Sequence, residues 1–394
     1  MALLAQHGYG KGEKINVGLA NNEISGVIFS PKAENLIKLK VSSKKIKKIN
    51  SNAKIYFDPQ FYICNLQGDV NFSKFASYEY CNMSLDRNTL SDFFYLNKMC
   101  KQVFDIQDEL GVSSYFSPTI MFSDFEDKES QIALNLANLS YENISNADFR
   151  LYISLCINEA AFNDFTKMNA FLDTITLLDV KGFYIIIDRN VINNRSNEIN
   201  SNVLLNIMTF IYSLSILNKF DVIIGYSDLV SIPLAAVSNA DFASGWFSNT
   251  KRFSASSFLK SNGGQRPKKR YTSGVLINTI LLLPELKSII DLNLTNKVIS
   301  ESPYNINLLP KFHDNQWSDE VSCLHNWHVI NQLLKLIQSN KNIEDRLSCL
   351  QTIIQTAKES SAIIKTQLQM NFSYRDNHLD MWDEALKSFK ERMV

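Results

Sequence analysis

The sequence predicts a (β/α)8 barrel of the TIM type with a C-terminal helical extension. Through about 250 residues, short apolar runs recur, and each is followed by a stretch with apolar residues three and four positions apart. Runs that are apolar on both faces are typical of strands in a parallel sheet covered by helices. Eight such runs are more than a doubly wound open sheet usually contains, so we expect the sheet to close into a barrel.

Each predicted strand ends in a polar cluster. The predicted strands are Gly26–Ser30, Lys54–Asp58, Ser114–Thr119, Arg150–Asn158, Gly182–Asp188, Phe220–Tyr226, Ala240–Gly245 and Tyr271–Leu276. The predicted helices between them are Leu90–Leu110, Glu129–Leu139, Glu159–Leu178, Asn202–Asn218 and Asp228–Ser238. After Pro310 only helices are predicted, at Trp317–Ile337, Ile343–Met370 and His378–Met393. We therefore divide the chain into a catalytic barrel, residues 1–310, and a helical extension, residues 311–394, that packs on the barrel or forms a partner surface such as a homodimer contact.

Composition and motif content exclude several classes of protein. The chain has 394 residues, a formal net charge of zero and 45% hydrophobic residues, as an ordinary globular protein has. Its six cysteines include no CxxC pair and its five histidines form no HExxH, so neither a disulfide framework nor a metal site is predicted. Glycine-rich nucleotide-binding motifs are also missing, and no cofactor is predicted. No secretory signal opens the sequence, and the longest apolar helix, Val203–Leu217, is too short to span a membrane, which predicts a cytoplasmic protein without a membrane partner.

Barrels of this class carry their chemistry at the C-terminal ends of the strands. Two carboxylates there, Asp58 and Asp188, are the predicted catalytic residues, because carboxylates that face one bowl can divide into an ionised base and a protonated acid. The predicted substrate-binding residues are other polar or aromatic side chains at these ends: Gln60, Tyr62, Asn158, Tyr226, Asp228, Ser244 and Trp246. Such an arrangement suits cleavage of a glycosidic or N-glycosidic bond.

Structural roles stay open for several of these residues. Asp58 and Asp228 each precede a segment that they can cap, and Asp188 can form an ion pair with Arg189 at the rim. Trp246 either stacks on a base or packs in the barrel mouth.

Two basic stretches without acidic residues stand out in this neutral chain. One contains the predicted contacts to a nucleic-acid backbone: Lys251, Arg252, Arg266, Lys268, Lys269 and Arg270. The other, Lys38–Lys48, holds six lysines. Each stretch can be a solvated face, but clustered basic side chains also neutralise phosphates. Together they predict a polyanionic partner.

Two segments resemble the tRNA-guanine transglycosylases. The run IYFDPQFY (Ile55–Tyr62) is similar to the strand of that family that ends in Asp, a Gly-rich turn, Phe and Gln. The run VIIGYSDLVSIPLAAVSNADFASGWF (Val222–Phe247) is similar to the family's glycine-bearing strand, the helix after it and the next strand. The resemblance implies a (β/α)8 barrel that acts on a nucleobase, with Asp58 in the place of the base-proximal catalytic Asp. The family's nucleophilic Asp falls near Ser244, its zinc-binding Cys/His cluster is absent, and Pro59–Gln60 replaces its Gly-Gly turn.

These departures favour a diverged relative that removes or exchanges a base in DNA, rather than RNA, as phage-defence glycosylases and deazaguanine-inserting enzymes do. The sequence thus predicts cleavage of the N-glycosidic bond of a modified or unmodified nucleobase. Without a covalent nucleophile, hydrolysis is favoured over exchange, with Asp58 or Asp188 as general base or oxocarbenium stabiliser. A barrel enzyme for a small phosphorylated metabolite and a non-catalytic interaction barrel are the alternatives.

Overall fold

The computed structural model describes residues 1–144, 150–189, 197–260, 268–308, 316–368 and 375–393, and the predicted fold class is confirmed. The main sheet in these ranges has nine strands: β1 (Leu3–Gln6), β2 (Gly26–Phe29), β3 (Lys54–Phe57), β4 (Tyr115–Phe116), β5 (Met121–Phe122), β6 (Leu151–Asn158), β7 (Gly182–Asp188), β8 (Asp221–Ile224) and β9 (Asp241–Ser244). Neighbours follow the order β3-β2-β1-β9-β8-β7-β6-β4, and their pairings are parallel.

These strands occupy eight positions around a nearly closed barrel. Strands β4 and β5 share one position, because both pair with β6, one after the other along its length. Between β3 and β4 the sheet is joined by Ser113, whose backbone N–H donates to the Ile55 carbonyl at 2.7 Å and whose hydroxyl accepts from the Ile55 N–H at 3.0 Å. Closure places the carboxyl ends of all the strands at one face of the molecule.

The prediction that Tyr271–Leu276 supplies a barrel strand is wrong. Arg270–Ser273 does form a strand, β10, but it pairs antiparallel with β11 (Asn278–Leu281) in a separate two-stranded sheet. The remaining barrel position belongs to β1, which lies between β2 and β9. All four residues of β1, three apolar residues and Gln6, are buried, so this short strand completes the core.

Helices cover the outside of the barrel, and each strand position from β1 to β8 is followed by at least one. The helices are α1 (Lys14–Ala20), α2 (Leu36–Ile49), α3 (Arg87–Ser91), α4 (Phe93–Leu110), α5 (Lys128–Ile144), α6 (Phe165–Ile175), α7 (Ser201–Tyr212), α8 (Ser231–Ala236), α9 (Ser248–Lys251), α10 (Lys287–Asp291), α11 (Asp319–Gln338), α12 (Ile343–Leu368) and α13 (Asn377–Met393). Helix α4 begins at Phe93 because the Asp92 carboxylate accepts the free N–H groups of Phe94 and Tyr95. The three helices predicted after Pro310 are confirmed as α11, α12 and α13.

Helix α11 packs against α1, α8 and β1. It covers the barrel beside β9, because α9, the helix that directly follows β9, has only four residues. Trp327 is its central contact: the indole N–H donates to the Ser244 carbonyl at 2.8 Å. The ring lies on Gly18 of α1, where a Cβ would be only 2.8 Å from it. A glycine is therefore required there for this helix to approach so closely.

A second, smaller hydrophobic cluster lies beside the barrel core. It includes Tyr271 and Ile280 of the hairpin together with Trp317, Ile364 and Leu368. Its members come from both sides of residue 310, and the domain boundary at that residue stays a prediction. Helix α13 packs on α7, where the Arg392 guanidinium donates to the Asn206 and Thr209 side chains.

Aromatic rings fill the barrel interior. Phe116 stacks on Tyr56 at 5.0 Å and on Tyr184 at 4.3 Å between ring centroids. The Tyr184 hydroxyl reaches toward the carboxyl end of the barrel, where it donates to the Asp58 side chain. Across the described ranges, the structure holds no helix that combines the length and the apolar character needed to cross a membrane.

Candidate active site at the ends of strands β1 to β3

A cleft opens at the carboxyl ends of β1, β2 and β3. It encloses about 360 Å³, part of which is open to solvent. Its polar lining includes His7 after β1, Ser30 and Lys32 after β2, Gln60 after β3 and Tyr226 after β8.

Gln60 forms part of the cleft wall because its backbone is left-handed, with φ of 53°. This turn directs its side chain back over the barrel, where Oε1 accepts from the Ser30 hydroxyl at 2.9 Å and from the Lys32 N–H at 3.2 Å. Its amide nitrogen donates to the Tyr226 hydroxyl at 3.2 Å. Gln60 therefore ties together three of the loops that border the cleft.

Asp58 lies beneath this wall and is 1% exposed. One carboxylate oxygen accepts from the Gln60 N–H at 3.1 Å, and the other accepts from the Tyr62 hydroxyl at 2.8 Å and the Tyr184 hydroxyl at 3.3 Å. Burial raises the pKa of Asp58 to about 7, while hydrogen bonds from Tyr62, Gln60, Tyr184 and Tyr226 oppose the rise. The carboxyl group can therefore hold or release a proton near neutral pH.

His7 was not among the predicted site residues, because β1 itself was not recognised. It is 1% exposed and lies edge-on to Phe29 and Trp246. Its Nδ1 accepts from the Ser30 N–H at 3.3 Å, which places the proton of the neutral ring on Nε2. That Nε2 has no hydrogen-bond partner among the described residues. Burial, with a further contribution from Lys11, lowers the pKa of His7 to about 3, so the ring is neutral.

Lys32 also lines the cleft and was not predicted. It is 8% exposed, and its ammonium lies 4.4 Å from the centroid of the Phe258 ring. Burial lowers the pKa of Lys32 to about 8. It makes no ion pair with any residue in the described part of the chain. The signal in the sequence that could have indicated His7 and Lys32 is the short, mainly apolar segment that precedes each of them.

Asp188 lies at the end of β7, with both carboxylate oxygens engaged by its neighbours. Oδ2 accepts from the Asn158 amide and Oδ1 from the Ala255 N–H, each at 2.7 Å. Burial raises the pKa of Asp188, and these two hydrogen bonds oppose the rise. The carboxylate thus holds the loop that contains Ala255, and Arg189 beside it donates to the Glu198 carbonyl at 3.3 Å.

Asp228 is buried and does not cap a helix with its side chain. Its Oδ1 accepts from the Ser244 hydroxyl at 2.7 Å and from the Asn326 amide of α11 at 3.0 Å, with the Lys251 ammonium 3.9 Å away. Ser244 is completely buried. These residues join β9 to α11.

Two of the three predicted aromatic contacts, Trp246 and Tyr62, are also packed within the protein. The Trp246 indole N–H donates to the Tyr9 carbonyl at 2.7 Å, and the ring lies against His7 and Trp327. Tyr62 donates to Asp58 and meets Phe253 edge-on at 5.2 Å. Of the predicted substrate-binding residues, only Gln60 and Tyr226 line the cleft.

The first basic stretch does not form one exposed surface. Lys251 points toward Asp228, and Arg252 is buried, which lowers its pKa. Lys268 and Arg270 are exposed and Lys269 is half-buried at the start of the hairpin, while Arg266 lies outside the described residues. In α2, Lys40 and Lys45 form ion pairs with Glu109 and Glu13.

No group of three or more histidine, cysteine or acidic residues within the described ranges is arranged to hold a metal ion. No known protein family, characterised protein or solved structure matches this chain. The resemblance to tRNA-guanine transglycosylases stays a prediction, and the chemistry of the site rests on its own geometry.

Proposed function

We propose that the protein is an enzyme that cleaves or transfers the N-glycosidic bond of a nucleobase in the cleft at the ends of β1 to β3. The observation that carries this proposal is the buried Asp58 carboxyl group, held by two tyrosine hydroxyls directly beneath the cleft. Its position at a strand end of a parallel barrel is where such folds carry out chemistry. Its pKa of about 7 suits proton transfer at neutral pH.

We propose an indirect role for Asp58 in the reaction. Gln60 and Tyr226 line the cleft, whereas Asp58 does not, so Asp58 acts as a base through the Tyr226 hydroxyl, to which it is hydrogen-bonded. In hydrolysis, a water molecule forms the new bond to the sugar carbon as the bond to the base breaks. The proton of that water passes to Tyr226 as the Tyr226 proton passes to Asp58, and it leaves later with the released base. This route uses Asp58 as a base and requires no covalent intermediate.

Base release is the measurement that tests this proposal. The protein is incubated with free nucleosides and nucleotides, and with modified and unmodified phage DNA, and the products are analysed by mass spectrometry for free bases and abasic sites. We expect release by the native chain and its loss in Asp58→Asn, with Asp188→Asn as the matched control. Failure to release a base from any substrate, or equal release by Asp58→Asn, contradicts the proposal. Phage DNA and the corresponding RNA in parallel reactions test the proposed preference for DNA and a role in phage defence.

A small phosphorylated metabolite is the second candidate substrate. It is favoured by the inward positions of Lys251 and Arg252, which remove two cations from the surface proposed to bind a nucleic-acid backbone. Turnover of free nucleotides or sugar phosphates, without oligonucleotide binding at low salt, selects this candidate. Salt-sensitive oligonucleotide binding that weakens in Lys268→Ala selects the polymer.

We also propose that the protein is cytoplasmic. All six cysteines are unpaired, and reducing compartments keep thiols in this state. Fractionation of cells that express the protein tests the location.

A further inference from the structure

The cleft contains two hydrogen-bond donors that have no acceptor among the described residues. The first is the Nε2–H of His7, which is buried and has no partner among the described residues. A buried N–H without an acceptor costs free energy, and native proteins rarely retain one unless a ligand, ion or water satisfies it. The second is the Lys32 ammonium, which has no acidic partner in the described ranges and has Phe258 as its nearest ring.

Both groups lie in the lining of the same small cleft. Each donates, and neither can accept in the state described, because Nδ1 of His7 already accepts from Ser30. A ligand that satisfies both must therefore present acceptor atoms, and the lysine favours acceptors that carry negative charge. We propose that the cleft binds an anionic oxygen group of its ligand, a phosphate or a carboxylate, between the Lys32 ammonium and the Nε2–H of His7.

Glu34 is the acidic residue closest to this position. Its Oε2 lies 3.9 Å from Nε2 of His7, which is too far for a hydrogen bond. The Lys11 ammonium is 2.5 Å from the same oxygen and neutralises its charge. Lys11 also donates to the Ser42 hydroxyl oxygen at 2.6 Å, and this contact holds its ammonium beside Glu34.

The inference specifies the substrate class of the proposed function and rests on it for the rest of the ligand. An N-glycoside that enters the cleft would carry its anionic group on the sugar or on the base, as a nucleotide or a carboxylated nucleoside does. Gln60 and Tyr226 lie in the same lining as Lys32, so one ligand can contact all three. Neutral nucleosides would lack the group that Lys32 and His7 bind.

Calorimetric titration of the full chain with inorganic phosphate and, separately, with acetate tests the anion site, with ionic strength held constant by sodium chloride. The variants are Lys32→Met, which keeps the apolar stem against Phe258, and His7→Asn, whose side-chain oxygen can still accept from Ser30. Lys38→Met, at an exposed lysine of α2, is the matched control. We expect binding to weaken by about tenfold or more in Lys32→Met and His7→Asn and by less than about twofold in Lys38→Met.

Acylation of the native chain by acetic anhydride provides a measurement that needs no variant to fold. Phosphate or acetate at the site must slow modification of Lys32 but not of Lys38, as quantified by peptide mass spectrometry in the same sample. Protection by phosphate alone assigns a phosphate-bearing ligand, and protection by acetate alone assigns a carboxylate. Absence of binding and of protection by either ion overturns the inference. Neither measurement involves turnover, so the anion site and the proposed reaction are tested separately. If the protein binds the anion but releases no base, the proposed reaction is contradicted and the anion site stands.

Discussion

The carboxyl end of the barrel has two sides that differ in how completely the protein satisfies its own polar groups. On the closed side, both oxygens of Asp188 accept hydrogen bonds, and Asp228 accepts from Ser244 and from Asn326 of α11. On the cleft side, the Nε2–H of His7 has no described acceptor and Lys32 has no described ion-pair partner. Both sides lie at the carboxyl ends of parallel barrel strands.

Of the polar residues at the strand ends, those that retain unused hydrogen-bonding capacity are the ones available to bind a ligand. Helix α11 and the loop at Ala255 use that capacity on the closed side. No described segment covers the cleft side in the same way, and the groups there stay available to a ligand. Four predictions separate a functional cleft side from a structural closed side.

The largest expected effect is on activity. Asp58→Asn should lower base release by about 10²–10⁴-fold, because general base catalysis contributes that much. Native activity should rise as pH increases through about 7, since the base must be ionised, and Asp58→Asn should lose this dependence. Rate measurements from pH 5 to 9 test both statements. Asp188→Asn should keep base release within about tenfold of the native rate. An equal loss in Asp58→Asn and Asp188→Asn would contradict the distinction between the cleft side and the closed side.

Asp228→Ala should cost about 2–5 kcal/mol of unfolding free energy, measured by urea denaturation. The change leaves the Ser244 hydroxyl and the Asn326 amide, both completely buried, without their acceptor. Asn326→Ala should lower the unfolding free energy less in the Asp228→Ala chain than in the native chain, because the two residues share one contact. A cost below about 1 kcal/mol would show that Asp228 is not a structural link.

Acid should destabilise the helical extension through His325 and His378. Burial lowers the pKa of each to about 4, from an unfolded value near 6.5, so the stability they contribute is present above pH 6.5 and is lost as pH falls toward 4. Protonation of each histidine should lower the free energy of unfolding by about 2 kcal/mol at pH 5 relative to pH 7.5. Unfolding curves of His325→Gln and His378→Gln should depend less on pH. Asp58 acts with the opposite sign, because its raised pKa stabilises the folded chain at low pH and this contribution is lost as pH rises through about 7.

The smallest expected effect concerns the contact between α1 and α11. Gly18→Ala should cost about 1–3 kcal/mol, because the new methyl group overlaps the Trp327 ring. The same change in a Trp327→Leu background should cost less, since the smaller side chain leaves room. Thermal unfolding of the native chain, the two single variants and the double variant measures the coupling between Gly18 and Trp327. Additive losses of stability would show that α11 does not close the barrel at this point.

The pattern of apolar runs and helical spacing determined most of the fold, because parallel strands that are buried on both faces must be apolar throughout. Seven of the predicted strands lie in the barrel. Asp58, Gln60 and Tyr226 were found for the same reason, since each follows such a run. That β1 and not β10 completes the barrel follows from the tertiary structure alone, because a four-residue strand has no local signal of its partners.

The same limit explains the site. His7 and Lys32 acquire their properties from burial in a cleft formed by five segments that are distant in the sequence. Contacts with the Ala255 loop, α11 and the Tyr9 carbonyl use the hydrogen-bonding groups of four other predicted residues, Asp188, Asp228, Ser244 and Trp246. The sequence by itself determined which residues reach the carboxyl end of the barrel. The tertiary structure decided which of them are left with unused donors and acceptors, because hydrogen-bond satisfaction depends on neighbours that only folding brings together.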